Sequence, residues 1–317
     1  MQEWTVADAD ADMRLDLWLT RRAGAGSRSK ASAWLDKGKV FLNGDPAGVG
    51  DAARRVSPGD RVGVWMDRPG SARAADRAVR DVSHLLRVVY EDAALVAVDK
   101  AVGLIVEPLP ERHGEEVTVL DLLAAHLRAD ARTSLYVVHR IDRDTSGLVI
   151  VARTPAARDA LKAQFEARTP ERVYLAVVQG RVVPPEGTWQ DRLAWDSARL
   201  RQRRAHGTDA RSKDAIAHYA VLEQFADAAL LRIALVTGKR NQIRVQASLR
   251  GHALLGERQY RFDAPPPAPG LPAIDRQALH AWKLGFVHPT TGRFLQLEAP
   301  LPDDFTTLLD RLRRRRS

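Results

Sequence analysis

Ten residues constrain this chain more than any others: Val138-His139-Arg140-Ile141-Asp142-Arg143-Asp144-Thr145-Ser146-Gly147. Apolar runs border them on both sides, Leu135-Tyr136-Val137-Val138 before and Leu148-Val149-Ile150-Val151 after. Runs of that length and composition predict two strands joined by a polar turn. A plain hairpin needs only a glycine or Asn-Gly at its turn. This turn holds four charged side chains and a hydroxyl pair. Asp142 lies between Arg140 and Arg143, a setting that favours its ionised form. Taken alone, an aspartate here could simply close a turn. The remainder of the chain decides between a turn and a reactive carboxylate.

At 317 residues the chain exceeds the size of one typical core, so two domains are expected. Its 45% hydrophobic and 28% charged content fits a globular protein with a sizeable core. The net charge of +9 points to an acidic partner, of which nucleic acid is the commonest. There are no cysteines. That excludes disulfides, cysteine nucleophiles and cysteine-ligated zinc. None of the nine histidines falls in a metal-binding spacing, so no metal is expected. The N-terminal residues lack the basic and apolar regions of a signal peptide, and no uncharged apolar stretch reaches membrane-spanning length. A cytoplasmic protein with no membrane contact is expected.

Residues 13–66 form a first unit. Leu15, Leu17, Trp18 and Leu19 begin a short helix that ends near Gly24. Ser27 is placed as the N-cap of a second, with Ala31, Trp34 and Leu35 on one face and Gly38 at its end. Strands follow at Lys39–Leu42 and Arg61–Trp65, with an Asn43-Gly44 turn after the first. Arg21, Arg22, Arg28, Lys30, Lys37 and Lys39 cluster on and around the two helices. Residues 67–85 are charged and aperiodic, as a linker would be. Residues 86–312 form the large unit, with strands expected at Leu86–Tyr90, Leu95–Val98, Leu148–Val151, Val173–Val178, Leu230–Val236 and Phe294–Leu297. Helices are expected at Val119–Leu127 and Ala156–Ala167, and a basic tail at 313–317. The order is α+β rather than regular βαβ winding.

The decapeptide resembles the His-Arg-Leu-Asp-x-x-Thr-Ser-Gly motif of the RluA-type RNA pseudouridine synthases, with Ile141 for leucine. Further segments match that family in the same order. They are Val98-Asp99-Lys100-Ala101-Val102-Gly103-Leu104, Arg172–Gly180, Leu235–Val245, Leu279–Leu284 and His288-Pro289-Thr290-Thr291-Gly292. The first unit resembles the alpha-L RNA-binding domain of the ribosomal small-subunit protein S-four type. It does so through Arg14-Leu15-Asp16, Ser27-Arg28-Ser29, Lys37-Gly38-Lys39-Val40, Asn43-Gly44 and Pro58-Gly59-Asp60. These resemblances imply the alpha-L domain joined to a catalytic domain with a mixed, mainly antiparallel sheet.

They also imply an activity: isomerisation of uridine to pseudouridine in RNA, with the target base turned out of its stack. Asp142 would act as nucleophile or as base on the sugar, and the sequence does not choose between them. Arg244 would pair with Asp142. Ile243 and Val245 flank it, and strand alternation would turn it away from one apolar side. Tyr174 would stack on the turned-out base. Arg140 would fill the gap that base leaves, while Thr145, Ser146 and Gly147 shape the turn. No metal or organic cofactor is required. The small domain implies a large-subunit ribosomal RNA target, with transfer RNA as the alternative, and a monomer is expected. The chain departs from the family pattern at Ala101, Asn241, Gln246 and Glu257. Two other readings stay open: a non-catalytic RNA-binding protein of the same fold, and a metal-dependent nuclease using Asp142 and Asp144, which share one face of a strand at i, i+2.

Overall fold

The computed structural model describes residues 2–65, 85–107, 116–127, 134–207, 209–262 and 264–315. The chain divides into two units, Met1–Asp81 and Val82–Ser317. Of the segment expected as a linker, 67–85, only Leu85 falls among the described residues.

In the first unit, helices α1 (Leu15–Arg21) and α2 (Arg28–Asp36) lie against a small sheet. Ser27 caps α2: its hydroxyl accepts the Lys30 N–H at 3.2 Å. That satisfies a donor that has no partner inside the helix. Gly38, at φ 60°, turns the chain out of α2. Strands β1 (Gln2–Thr5), β2 (Val40–Leu42), β3 (Asp45–Ala47) and β4 (Arg61–Val64) pair antiparallel in the order β1-β4-β2-β3. Leu15, Trp18, Leu19, Ala31 and Leu35 close over Val40, Leu42, Val62 and Val64. The unit takes in residues before 13, because β1 completes its sheet.

The second unit is organised on one sheet of eleven strands among the described residues. They are β5 (Leu86–Glu91), β6 (Leu95–Lys100), β7 (Tyr136–Val137), β8 (Ser146–Ala152), β9 (Glu171–Gln179) and β10 (Glu186–Asp196), followed by β11 (Arg201–Arg204), β12 (Lys213–Gln224), β13 (Ala228–Leu235), β14 (Leu279–Val287) and β15 (Phe294–Glu298). The order across the sheet is β11-β10-β12-β13-β9-β14-β8-β6-β5, with β15 beside β14 and β7 beside β8. The β8–β14 pair is parallel; the others are antiparallel. The fold is therefore α+β with a mixed, mainly antiparallel sheet.

Helices cover both faces. They are α3 (Val119–His126), α4 (Pro155–Ala167), α5 (Gln242–Ser248) and α6 (Asp303–Arg314). Strand β8 shows why its sequence lacks alternation. Leu148, Ile150 and Ala152 pack with Leu161 of α4, while Val149 and Val151 pack with Val119 and Leu123 of α3. A strand buried on both faces reads as a continuous apolar run. Further along the sheet, Ala176 and Val178 meet Ile243 and Ala247 of α5. Their neighbours Leu175 and Val177 meet Phe305, Leu308, Leu309 and Leu312 of α6.

Helix α6 runs to Arg314, so the first residues of the expected basic tail are helical. Arg313 pairs with Glu223 at 3.0 Å and Arg315 with Asp227 at 3.4 Å. Asp303 and Asp304 open this helix and Arg311, Arg313 and Arg314 close it, matching its dipole. Arg316 and Ser317 lie outside the described residues.

Candidate active site

The 138–147 segment forms the turn its sequence implies. Tyr136 and Val137 pair with Ala152 and Val151, and the Thr145 N–H donates to the Asp142 carbonyl at 3.1 Å. Gly147 begins the return strand at φ 110°, where a Cβ would collide with the Ala281 carbonyl. The parallel β8–β14 pairing therefore requires glycine there. Ser146 and His280 hydrogen-bond at 2.9 Å across the same junction.

A buried lysine and a half-buried histidine fix the turn. Lys100, at the end of β6, donates its ammonium to the carbonyls of Arg143 at 2.8 Å and Ala101 at 2.9 Å. Burial lowers its pKa to about 7. His139 stacks on Phe165 with centroids 4.7 Å apart, and its Nε2 accepts the Ile150 N–H at 3.0 Å. Burial lowers its pKa to about 3, which keeps the ring neutral.

Asp142 is left 26% exposed. Its Oδ2 accepts the Asn241 amide at 2.7 Å and lies 3.5 Å from the Arg244 guanidinium. The positive partner comes from α5 and not from the residues beside Asp142 in sequence. Arg140 pairs with Glu107 at 3.0 Å and Arg143 with Glu116 at 2.6 Å.

Arg244 does not lie on a strand, which corrects the alternation argument: residues 242–248 are helical. Ile243 and Val245 are both buried, in different clusters. Buried glutamines mask the helical period. Gln242 and Gln246, at i and i+4, hydrogen-bond to each other at 3.1 Å where apolar residues would normally mark the inner face.

The closest partner of Arg244 is Glu257, in a bidentate pair at 2.7 and 2.8 Å. The Glu257 side chain is 0% exposed and also accepts the N–H groups of Gln259 and Tyr260 at 2.8 and 3.0 Å. Burial works to raise its pKa, but Arg244 and these donors outweigh it and hold the carboxyl below its ordinary range. Gly256, at φ 75°, delivers Glu257 to this point, and a Cβ there would strike the Arg276 carbonyl. Arg244 is thus anchored from behind by Glu257 and presents its remaining nitrogen to Asp142.

Tyr174 reaches the same place through strand register. On β9 it pairs with Ala281 of β14, and Ala281 pairs with Gly147 of β8. Burial raises the phenol pKa to about 12, so it stays protonated at neutral pH. Asp142, Tyr174, Arg244, Arg140, Lys239 and Arg240 line one cleft of about 750 Å³. That volume is within the usual range for a small-ligand site. A recess of about 200 Å³ flanks Asp142 on another side, bordered by Glu107, Asp144 and Gln277. Among the described residues no group of three or more His, Asp and Glu is arranged to hold a metal ion.

In the first unit, Arg21, Lys30 and Lys37 are exposed on the helices or just beyond them, and Lys39 is partly buried. Arg22 is bound to Asp10 and Arg28 to Asp16, both at 2.8 Å. Arg14 hydrogen-bonds Asp16 and is the main cause of its pKa falling to about 2. Arg22 and Arg28 therefore also brace the fold. In the large unit, sequence reasoning gives no role to Lys100. It meets Asn241 and Glu257 only as departures from a family pattern.

The RNA pseudouridylate synthase family model matches residues 94–249, and the S4 domain model matches residues 13–62. An uncharacterized RNA pseudouridine synthase of Bacillus subtilis, YlyB, is 33% identical over 98% of this chain and 97% of its own. Ribosomal large subunit pseudouridine synthase D of Nitrosomonas europaea is 34% identical over 98% of this chain and 88% of its own. Among solved structures, human RNA pseudouridylate synthase domain containing 4 superposes with a TM-score of 0.58 at 23% identity, over 71% of this chain and 92% of its own. That last likeness speaks for the fold alone.

Proposed function

Because this chain belongs to the RNA pseudouridine synthase family, and is therefore an isomerase acting on uridine in RNA, we propose that its targets lie in large-subunit ribosomal RNA and that Asp142 is the reacting carboxylate. The observation that carries the second point is the bonding of Asp142: hydrogen-bonded by Asn241, faced by a guanidinium anchored on a buried glutamate, and still open to a cleft that admits a nucleoside. A carboxylate so held is oriented and faced by positive charge, as suits nucleophilic attack or proton abstraction.

Isomerisation breaks the N1–C1′ bond of uridine and forms C5–C1′ on the same base. The base must leave its stack and rotate without escaping. Tyr174, a neutral phenol on the cleft wall, offers a ring against which a turned-out base can stack. Arg140 stands at the cleft edge and pairs with Glu107, the arginine being exposed and the glutamate partly so. It can exchange that partner for a phosphate or enter the vacated stack. The basic S4 domain supplies sequence-independent capture of RNA. The ribosomal target rests on the names of the large-subunit relatives; transfer RNA is the second reading. A monomer working in the cytoplasm fits both.

The deciding experiment maps pseudouridine in ribosomal and transfer RNA from cells with and without the protein, complemented by wild type or Asp142→Asn. Large-subunit positions should be lost on deletion and restored by wild type alone. Loss confined to transfer RNA would overturn the ribosomal assignment, and restoration by Asp142→Asn would overturn the role of Asp142.

A further inference from the structure

We infer that Asn241 and Tyr260 are positioning residues that hold Asp142 in one orientation through a hydrogen-bond chain whose direction is fixed at its far end. The inference rests on the reading that Asp142 carries the chemistry. The chain starts at the backbone N–H of Gln202, on β11, which can only donate. It donates to the Tyr260 hydroxyl at 3.3 Å. That leaves the Tyr260 proton for the side-chain oxygen of Asn241, at 3.0 Å. With its oxygen so engaged, Asn241 must turn its NH₂ toward Asp142, which accepts at 2.7 Å. An amide alone could face Asp142 with either end, and the wrong end would repel a carboxylate. Tyr260 removes that ambiguity.

A further observation sets Asn241 apart from a residue placed for folding alone. It occupies the N-cap of α5, where asparagine ordinarily accepts a backbone N–H of the first turn, yet its side chain makes no cap hydrogen bond. Its backbone, at φ 55°, ψ 24°, is in the left-handed region that asparagine tolerates better than most residues. Local capping has been given up, and the side chain is directed at Asp142.

The groups facing Asp142 besides Asn241 define what a pH measurement would read. Arg244, Lys100, Tyr174 and Tyr260 act on it electrostatically, and Glu107, Arg140, Arg143, Asp144 and Arg240 border the same recess. Replacing Asn241 removes none of these groups; it takes from Tyr260 the acceptor of its hydroxyl proton. Loss of the Asn241 donor removes a hydrogen bond to the charged form only, which favours protonation.

The test uses the full chain and single-turnover conversion of a uridine-containing ribosomal RNA fragment. Asn241→Gly is the clean deletion, because glycine adopts the left-handed backbone without strain. At saturating RNA its rate should fall about tenfold to a hundredfold, the range set by one hydrogen bond to a charged group. Its RNA affinity should change little, and the acid limb of its pH–rate profile should move to higher pH. Tyr260→Phe should shift the same limb in the same direction by less, since the amide remains but is free to turn. Asn241→His, which keeps an N–H donor, should recover part of the rate. A wild-type rate and acid limb in both folded Asn241→Gly and Tyr260→Phe would overturn the inference. So would a loss in RNA affinity that accounts for the whole effect. Asp142→Asn run alongside separates the two levels: if it retains activity, the reading of Asp142 has failed, whereas an inactive Asp142→Asn beside an unaffected Asn241→Gly rejects the positioning role alone.

Discussion

At the scale of single residues, the site is an arrangement of charge compensation. Asp142→Asn should abolish isomerisation while leaving RNA affinity little changed, because the amide is nearly isosteric yet neither nucleophile nor base; single-turnover rate and a binding titration read the two separately. Arg244→Met should also abolish turnover, and it should destabilise the large unit by roughly 3–5 kcal/mol, since Glu257 would be left buried and charged without its guanidinium. Chemical denaturation checks that magnitude, and the double variant with Glu257→Gln should recover much of the stability and none of the activity. His139 gives a pH prediction. Its folded-state pKa, about 3, lies below the ordinary 6.5, so the unfolded chain binds the proton first. Stability from this group is therefore fully present above pH 6.5 and is lost as pH falls toward 3, at about 1.4 kcal/mol per pH unit. Between pH 6.5 and 5, above the range where ordinary carboxylates titrate, denaturation of His139→Gln should show a shallower pH slope than wild type. Equal slopes would mean His139 is not held neutral by the fold.

At the scale of elements, two glycines, Gly147 and Gly256, decide whether the sheet can assemble the site. Gly147→Ala must push β8 away from Ala281 and disturb the turn that carries Asp142. A destabilisation above about 1 kcal/mol is expected, together with lost activity; thermal unfolding and the single-turnover rate test both. The turn, the helix caps at Ser27 and Gly38, and the apolar strands β5, β6, β8, β9 and β13 are legible in the sequence because each carries a local signal of period, cap or breaker. Strands β10 and β12, near the sheet edge, are not: polar and charged residues interrupt the apolar positions of β10, and alanines, Ala215 and Ala217, hold buried positions of β12. Helix α5 reads as a strand for a sharper reason: Ile243 and Val245 mimic strand alternation around Arg244, while buried glutamines occupy the positions that would reveal a helix. The members of the site follow the same division. Asp142 and Tyr174 stand in apolar frames that mark them, whereas Glu257 and Tyr260 follow a loop and meet Arg244 and Asn241 only through tertiary packing.

At the scale of the whole molecule, capture and chemistry are assigned to separate units. Removing Met1–Asp81 should weaken RNA binding and flatten its salt dependence, by about 0.7–0.9 in the slope of log affinity against log salt for each phosphate that the deletion leaves unneutralised. The remaining unit, with its own sheet and cores, should still convert uridine in a short RNA at saturation. An unchanged salt slope would remove the small domain from RNA binding. The outermost strand of the large sheet, β11, has one further consequence. Its sequence is Arg-Gln-Arg-Arg over four residues, and its outer edge has no strand beside it among the described residues. Two molecules joining edge to edge there would bring Arg201 and Arg204 of one against those of the other, Arg203 being neutralised by Asp209. Mutual repulsion makes such a seam unfavourable, so this border of the sheet resists pairing with a second copy through residues that also make the protein basic.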